Sequence, residues 1–208
     1  MFYLVKTPWL LKNIYHSYTW QINTNEKELF LTFDDGPHPE ITPFVLQQLK
    51  QFNAQATFFC IGKNVTAYPK VYQQILSEGH SVGNHTYNHL NGWKTDNATY
   101  LKNVTEATSV IQSSLFRPPY GRIRSSQAKQ MNEAMKTIDT KVVMWDVLSG
   151  DFDESLSKEK CLTNVVKNSR PGSIIVFHDS EKAFPRLEYV LPRTLDFFSG
   201  KGYGFSKL

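Results

Sequence analysis

Cysteine and long hydrophobic runs are both scarce in this chain. Its 208 residues contain 2 cysteines, Cys60 and Cys161, too few for a disulfide framework. Cys60 lies in an apolar run, residues 56–61, where a free thiol acts as a small hydrophobic side chain. No stretch approaches the about 20 apolar residues of a transmembrane helix, so we expect no membrane span.

The first twelve residues lack the apolar core of a secretory signal. Lys6, Pro8 and Lys12 interrupt them, whereas a signal peptide carries an apolar core of roughly 7–15 residues. On this pattern we expect a cytoplasmic protein.

Charge of one sign is not concentrated in any segment. The net charge of +4 arises from 23 basic and 19 acidic residues, and the basic ones are scattered along the chain. A nucleic-acid-binding arm would need them clustered, so we expect no nucleic-acid partner.

Apolar, β-rich runs alternate with stretches of helical period, which is typical of an α/β fold with parallel strands. We predict about seven strands, at residues 28–33, 56–61, 81–83, one ending near 116, 141–145, 173–177 and one near 203–205. Seven strands in a chain of this length predict a distorted, incomplete (β/α) barrel. We expect one domain over residues 1–208, in which residues 1–27 pack against the barrel.

Five polar segments lie at or just after the ends of predicted strands, where α/β barrels build their active sites. These segments are Thr32-Phe33-Asp34-Asp35-Gly36-Pro37, His85-Thr86-Tyr87-Asn88-His89, Arg117-Pro118-Pro119-Tyr120, Asp151-Phe152 and Val176-Phe177-His178.

The residue types in these segments indicate metal-assisted acid–base chemistry. Adjacent aspartates offer one carboxylate for a cation and another for proton transfer. His85 and His89 are spaced so that both imidazoles would lie on one side of a helical turn. One carboxylate and two imidazoles leave coordination positions open for water and substrate. The prolines after Arg117 predict a rigid turn that can hold a backbone N–H steady.

The five segments together resemble the motifs of the polysaccharide deacetylase family, the NodB-homology domains of carbohydrate esterase family 4. The family motifs run T-F-D-D-G-P, H-[ST]-x-x-H, R-x-P-Y, D-x-x-D-W and L-x-H. The resemblance implies a NodB-like barrel. It also implies a divalent metal held by Asp35, His85 and His89, with zinc as the first choice and cobalt, nickel or manganese as alternatives.

The same resemblance implies roles for the remaining motif residues. Asp34 would be the general base, oriented by Arg117, and the Tyr120 main-chain N–H would donate to the oxyanion. His178 would be the general acid, held by Asp151, although Asp146 competes with Asp151 for this role.

Two substitutions depart from the family motifs at substrate-contacting positions. Phe152 replaces the usual tryptophan, and Val176 replaces the usual leucine as an apolar wall for an acetyl methyl group. With Tyr120, these residues are the expected substrate contacts. The departures bear on substrate preference and leave the catalytic set intact.

The predicted function is hydrolysis of N-acetyl groups from a saccharide such as the N-acetylglucosamine units of peptidoglycan or a chitin-like glycan. An O-acetyl esterase acting through the same residues is an alternative. A non-haem iron oxygenase could also use two histidines and one carboxylate. A catalytically silent saccharide-binding protein is the third alternative. We assume a monomer.

Overall fold

The computed structural model describes residues 3–208 of the chain. Within this range one parallel sheet forms the centre of the molecule. Its strands are β1 (Glu28–Asp34), β2 (Ala56–Cys60), β3 (Ser81–Asn84), β4 (Leu115–Phe116), β5 (Lys141–Val142), β6 (Val147–Leu148), β7 (Ile174–His178) and β8 (Gly204–Phe205).

Seven of these strands lie in the order β5-β4-β3-β2-β1-β7-β6, and β8 pairs with β1. All of these pairs are parallel. The prediction of an α/β fold with an incomplete parallel barrel is therefore confirmed.

One predicted strand, at residues 141–145, is wrong in its bounds. β5 ends at Val142, and β6 is a separate strand that the sequence analysis did not recognise. Between them the backbone changes partners, because Met144 N–H donates to Thr19 O while Asp146 N–H donates to Ile174 O. This short segment turns from one edge of the curled sheet to the other.

Helices cover the outer face of the sheet. Within the described residues they are α1 (Trp9–Ile14), α2 (Ile41–Gln51), α3 (Gly62–Ala67), α4 (Pro69–Ser77), α5 (Asn97–Thr108), α6 (Ser125–Ala128), α7 (Met131–Met135), α8 (Lys158–Asn168) and α9 (Phe184–Ser199). None of these helices has the length and apolarity required to cross a membrane.

Alternation along the strands divides the core into two layers. Leu29, Leu31 and Phe33 of β1 join the large cluster packed against the helices. Phe30, between them, instead joins Phe59 in a smaller cluster inside the curl. The inward positions that follow are polar, so the hydrophobic interior gives way to a polar site at the carboxyl end of the sheet.

The described part of the N-terminal segment lies across the turn between β5 and β6. Thr7 N–H donates to Asp146 O, and Thr19 pairs with Val143. Lys6 and Lys12 both form salt bridges with the buried carboxylate of Asp146. Residues 1 and 2 of the predicted packing segment lie outside the described residues.

Candidate active site

Asp34, the last residue of β1, forms a buried ion pair with Arg117. The Arg117 Nη1 donates to Asp34 Oδ1 at 2.7 Å, and the Arg117 side chain is fully buried. β1 lies beside β7 in register, so Asp34 is paired with His178. The carboxyl ends of neighbouring strands thus bring together residues that are far apart in the sequence.

Each of the three guanidinium nitrogens of Arg117 donates a hydrogen bond inside the barrel. Nη1 also donates to Thr32 Oγ1 at 2.7 Å, Nε to Val143 O at 3.2 Å and Nη2 to Met144 O at 2.9 Å. Its flat face lies 4.0 Å from the Phe59 ring centroid. A lysine offers no planar fork and could not make this set of bonds.

Asp35, His85 and His89 converge on one point. Their candidate ligand atoms all lie within 4.8 Å of one another. The His89 Nε2 is 3.2 Å from Asp35 Oδ1, and the His85 Nε2 is 3.8 Å from the same oxygen. One carboxylate and two imidazoles at this spacing could hold a divalent metal.

Hydrogen bonding selects the tautomer of His85 that a metal ligand requires. The His85 Nδ1 lies 2.7 Å from the carbonyl oxygen of Arg117. Since a carbonyl only accepts, Nδ1 carries the proton and Nε2 presents a lone pair toward Asp35. Burial lowers the pKa of His85 to about 4, so the imidazole is neutral at pH 7.

Asp35 has the properties of a ligand carboxylate. Its Oδ1 is buried and has no hydrogen-bond partner among the described residues. Burial opposes its charge, yet the neighbouring His89, His178 and His85 hold the pKa of Asp35 well below its ordinary value. A cation bound between this oxygen and the two imidazoles would satisfy an otherwise unpaired buried atom, so the residues fit a metal.

The predicted helical turn that carries the two histidines is wrong. Residues 85–91 form an irregular loop, in which Thr86 and His89 have φ values of 63° and 58°. Asn84 Oδ1 accepts from Thr86 N–H, which fixes the first of these left-handed turns. Asp35 also has a positive φ, 83°. Non-glycine residues in this conformation are strained, and such residues cluster at functional sites.

His178 is held by Asp151 and not by Asp146. The Asp151 carboxylate accepts from the His178 main-chain N–H and from its Nδ1, each at 2.8 Å. Asp146 is instead bonded to Lys6, Lys12 and Ser173. The competing assignment of Asp146 is therefore wrong, because its carboxylate anchors the N-terminal segment.

The Asp151 contact also sets the charge of His178. Burial lowers its pKa, but the Asp151 charge and hydrogen bond outweigh burial and raise the pKa of His178 to about 9. Since Nδ1 is taken by Asp151, Nε2 is the ring atom left for a proton transfer.

Tyr120 lies beside the candidate metal triad in a 3₁₀ turn, Pro119–Gly121. Its ring centroid is 4.6 Å from that of His89, and its φ is 59°. The following N–H groups of Gly121 and Arg122 are satisfied by Pro118 O and Pro119 O. The Tyr120 N–H makes no hydrogen bond within residues 3–208, so it is free to donate to a ligand.

Phe152 and Val176 occupy different parts of the site. The Phe152 ring is 5.1 Å from the His178 imidazole in an edge arrangement and 5.1 Å from the Tyr3 ring. Val176 is 1% exposed and lies two residues before His178 on β7, so both side chains are on the same face of the strand. Phe152 therefore packs against the imidazole, and its contact with substrate stays a prediction.

Two supporting residues were missed by the sequence analysis. The Asp179 carboxylate accepts from Gly36 N–H at 3.0 Å and from Thr42 Oγ1 at 2.5 Å. Asn64 Nδ2 donates to Asp35 O at 2.7 Å. Together they hold both sides of the turn that carries Asp35. For Asp179, the only indication in the sequence was its position directly after His178. Nothing in the sequence indicated Asn64.

The curled parallel sheet carries a candidate metal triad at its carboxyl end. Beside the triad, Arg117 and His178 are each paired with a carboxylate. This arrangement defines an α/β barrel with a site of the hydrolytic type. The polysaccharide deacetylase family model matches residues 21–138. The chain belongs to the polysaccharide deacetylase family.

Three similar proteins are informative. A peptidoglycan-N-acetylglucosamine deacetylase of Bacillus cereus is 35% identical over 193 residues, which cover 90% of this chain and 89% of the relative. Another of the same description from that species is 36% identical over 171 residues, or 79% of this chain and only 60% of the relative. A crystal structure of a peptidoglycan N-acetylglucosamine deacetylase complexed with 4-naphthalen-1-yl-N-oxidanyl-benzamide superimposes with a TM-score of 0.81 at 32% identity, covering 97% and 95% of the two chains.

Proposed function

We propose that this protein is a metal-dependent deacetylase that hydrolyses N-acetyl groups of N-acetylglucosamine units in peptidoglycan or a related glycan and releases acetate. The observation that carries the proposal is the presence of two dyads, the buried pair of Asp34 with Arg117 and the part-buried pair of Asp151 with His178. They flank the Asp35, His85 and His89 triad with one base and one acid. The named activities of the relatives support the same substrate class.

The proposed metal ligands are Asp35, His85 and His89. When bound, a divalent metal supplies Lewis-acid polarisation of the acetyl carbonyl and of the attacking water. Zinc suits two imidazoles and one carboxylate, and cobalt, nickel or manganese can replace it in a site of this donor set.

The protein's own groups carry the protons. Asp34 accepts a proton from the attacking water, and Arg117 fixes the orientation of its carboxylate. The Tyr120 N–H donates to the developing oxyanion, where a preorganised donor is most effective. His178 Nε2 then gives its proton to the leaving amine nitrogen, while Asp151 stabilises the charged imidazole before that transfer.

The other candidate functions explain fewer of these contacts. An iron oxygenase needs the triad but has no use for the two dyads. A silent saccharide-binding protein needs neither. An O-acetyl esterase uses the same groups, but its leaving group is an alkoxide, whereas that of an N-acetyl substrate is an amine. The amine depends more on protonation by an acid, so the well-held His178 favours the N-acetyl substrate. We propose that one domain, acting as a monomer, contains the whole site.

Acetate release tests the function directly. The purified protein, stripped with a chelator and reloaded with zinc or cobalt, would be assayed on peptidoglycan fragments, N-acetylglucosamine oligomers and acetylated xylan. We expect acetate from the N-acetylated substrates, restored by about one metal ion per chain in elemental analysis. Undiminished acetate release by metal-free protein would contradict metal dependence, and release from xylan alone would favour the esterase.

The pH dependence tests the role of His178 as an acid. An acid must be protonated, so kcat/KM should fall as pH rises through the pKa of His178, which Asp151 raises. In Asp151→Asn the cause of this increase is removed, so we expect the alkaline limb to move to lower pH by more than one unit, with the same metal bound in both proteins. The measurement is a kcat/KM profile from pH 5 to 10.

Asp153→Asn is the matched control for this experiment. Asp153 is half-buried and bonds to Tyr3 and Ser155, not to His178. The Asp153→Asn variant removes the same charge as Asp151→Asn, at a position two residues away. Equal shifts in both variants would mean that Asp151 acts only through general electrostatics, against the proposed dyad.

A further inference from the structure

An exposed tryptophan lies in the loop between β3 and α5, outside the residues assigned above. Trp93 is 53% exposed, although its indole is fixed at two places. Its Nε1 donates to Ile123 O at 3.0 Å, and the Arg122 guanidinium lies 4.1 Å above its ring centroid. With one face covered and the N–H satisfied, the other face is held rigidly toward solvent.

Two arginines beside this ring lack acidic partners. Arg122 is half-buried and Arg124 is exposed. Within residues 3–208 neither has a salt bridge, and Arg124 Nη2 donates only to Trp93 O, at 2.8 Å. The closest acidic residue in sequence to Trp93, Asp96, caps α5 by accepting from Thr99 N–H.

The loops that carry this cluster also carry residues of the site. The loops after β3 and β4 are joined where Gly92 N–H donates to Arg122 O at 3.1 Å. Trp93 follows the triad residue His89 by four residues, an extended span of at most about 14 Å. Arg122 follows Tyr120 by two, at most about 7 Å. Both upper limits are compatible with contact to a neighbouring sugar of a glycan whose acetyl group is at the triad.

We infer that Trp93, Arg122 and Arg124 form a subsite for a carboxylate-bearing sugar adjacent to the sugar that is deacetylated. The free indole face packs against the apolar C–H face of a sugar ring, and the exposed Arg124 guanidinium binds the carboxylate of that sugar through charge-assisted hydrogen bonds. Arg122, on the opposite face of the indole, supports the ring and adds positive charge. In peptidoglycan glycan whose stem peptides have been removed, the lactyl ether of N-acetylmuramic acid supplies such a carboxylate. A neutral chitin-like chain has none.

The inference rests on the proposed function for the position of the reacting sugar, and a matched pair of substrates tests it separately. One is a peptidoglycan glycan fragment with free lactyl carboxylates, and the other is the same fragment with those carboxylates methyl-esterified. We expect kcat/KM to favour the free acid by about tenfold, the size of one charge-assisted bond, and high salt to reduce this preference.

The double variant Arg122→Gln/Arg124→Gln should bring the acid-to-ester ratio of kcat/KM close to one, mainly by raising KM for the acid. Arg122→Lys with Arg124→Lys keeps the charge and should retain part of the ratio. Trp93→Ala should raise KM for both fragments by a similar factor. Thermal unfolding of each variant checks that the loops remain folded.

Arg193→Gln is the matched control. Arg193 lies 3.8 Å over the Tyr189 ring and donates to Tyr189 O on α9, so it repeats the arginine-on-aromatic contact on a helix that carries none of the subsite residues. Its acid-to-ester ratio should equal that of the unchanged protein. A ratio near one in the unchanged protein, or equal loss in the control, would overturn the inference.

Direct binding separates this result from the activity. Calorimetric titration of Asp34→Asn protein with the two fragments should give tighter binding of the acid, and the added arginine changes should remove that difference. If no substrate yields acetate but this binding pattern appears, the proposed function fails and the subsite stands. If acetate is released and binding ignores the carboxylate, the subsite fails alone.

Discussion

Asparagine in place of Asp34 is expected to lower kcat by about 10²–10⁴-fold, the usual contribution of a general base, while the protein keeps its metal. The amide cannot accept the water's proton, whereas the carboxylate, which Arg117 fixes through Oδ1 at 2.7 Å, can accept it at its other oxygen. It still fills the same volume and still offers an oxygen to the guanidinium. Steady-state kinetics and metal analysis of the same preparation measure the two effects.

Asp35→Asn is the paired variant, since it makes the same change at the neighbouring position. Asp35 Oδ1 faces both imidazoles and has no other partner within the described residues. We expect this variant to lose both metal and activity, with little change in its unfolding temperature, because an open site is not the main support of the fold. If Asp34→Asn lost the metal and Asp35→Asn kept it, the assignment within the pair would be reversed.

The central strands were predictable because they are continuous apolar runs. β1, β2 and β7 lie between two buried layers, and their hydrophobic residues face both the helices and the interior. β6 is different. Its two residues, Val147 and Leu148, owe their strand pairing to Ile175 and Val176 on a distant part of the chain. A two-residue strand defined by remote partners has no periodic signal in its own sequence.

The motif residues were predictable as a set, but their supports were not. The order of Asp35, His85 and His89 suggested a metal site, and the structure brings these residues together. The spacing of the histidines suggested a helical turn, but Asn84 and left-handed residues fold a loop that carries them instead. Spacing restricts which residues can meet, whereas side-chain bonds to the backbone decide how the loop runs.

The competition between Asp146 and Asp151 illustrates the same limit. Both follow short apolar runs, and either could have held His178 on sequence grounds. Lys6 and Lys12 decide the outcome, because they neutralise Asp146 from a segment more than a hundred residues away. The sequence around Asp146 gives no indication of these two lysine partners.

The largest stability effect is expected at Arg117. Arg117→Met should lower the free energy of unfolding by about 3–5 kcal/mol, the cost of leaving one member of a buried pair without its partner. Asp34 would then be a buried carboxylate facing an apolar side chain, and the carbonyls of Val143 and Met144 would lose donors. Chemical denaturation with a constant slope in the denaturant dependence would measure the loss.

Adding Asp34→Asn to Arg117→Met should recover part of that stability, because the unpaired charge is removed while the lost carbonyl contacts are not. Glu154→Gln is the surface control, since Glu154 and Lys182 are 72% and 58% exposed in their side chains and 3.9 Å apart. Its change should stay below about 1 kcal/mol. If Arg117→Met were as mild as this control, the buried Asp34 carboxylate would not depend on the guanidinium for its contribution to stability.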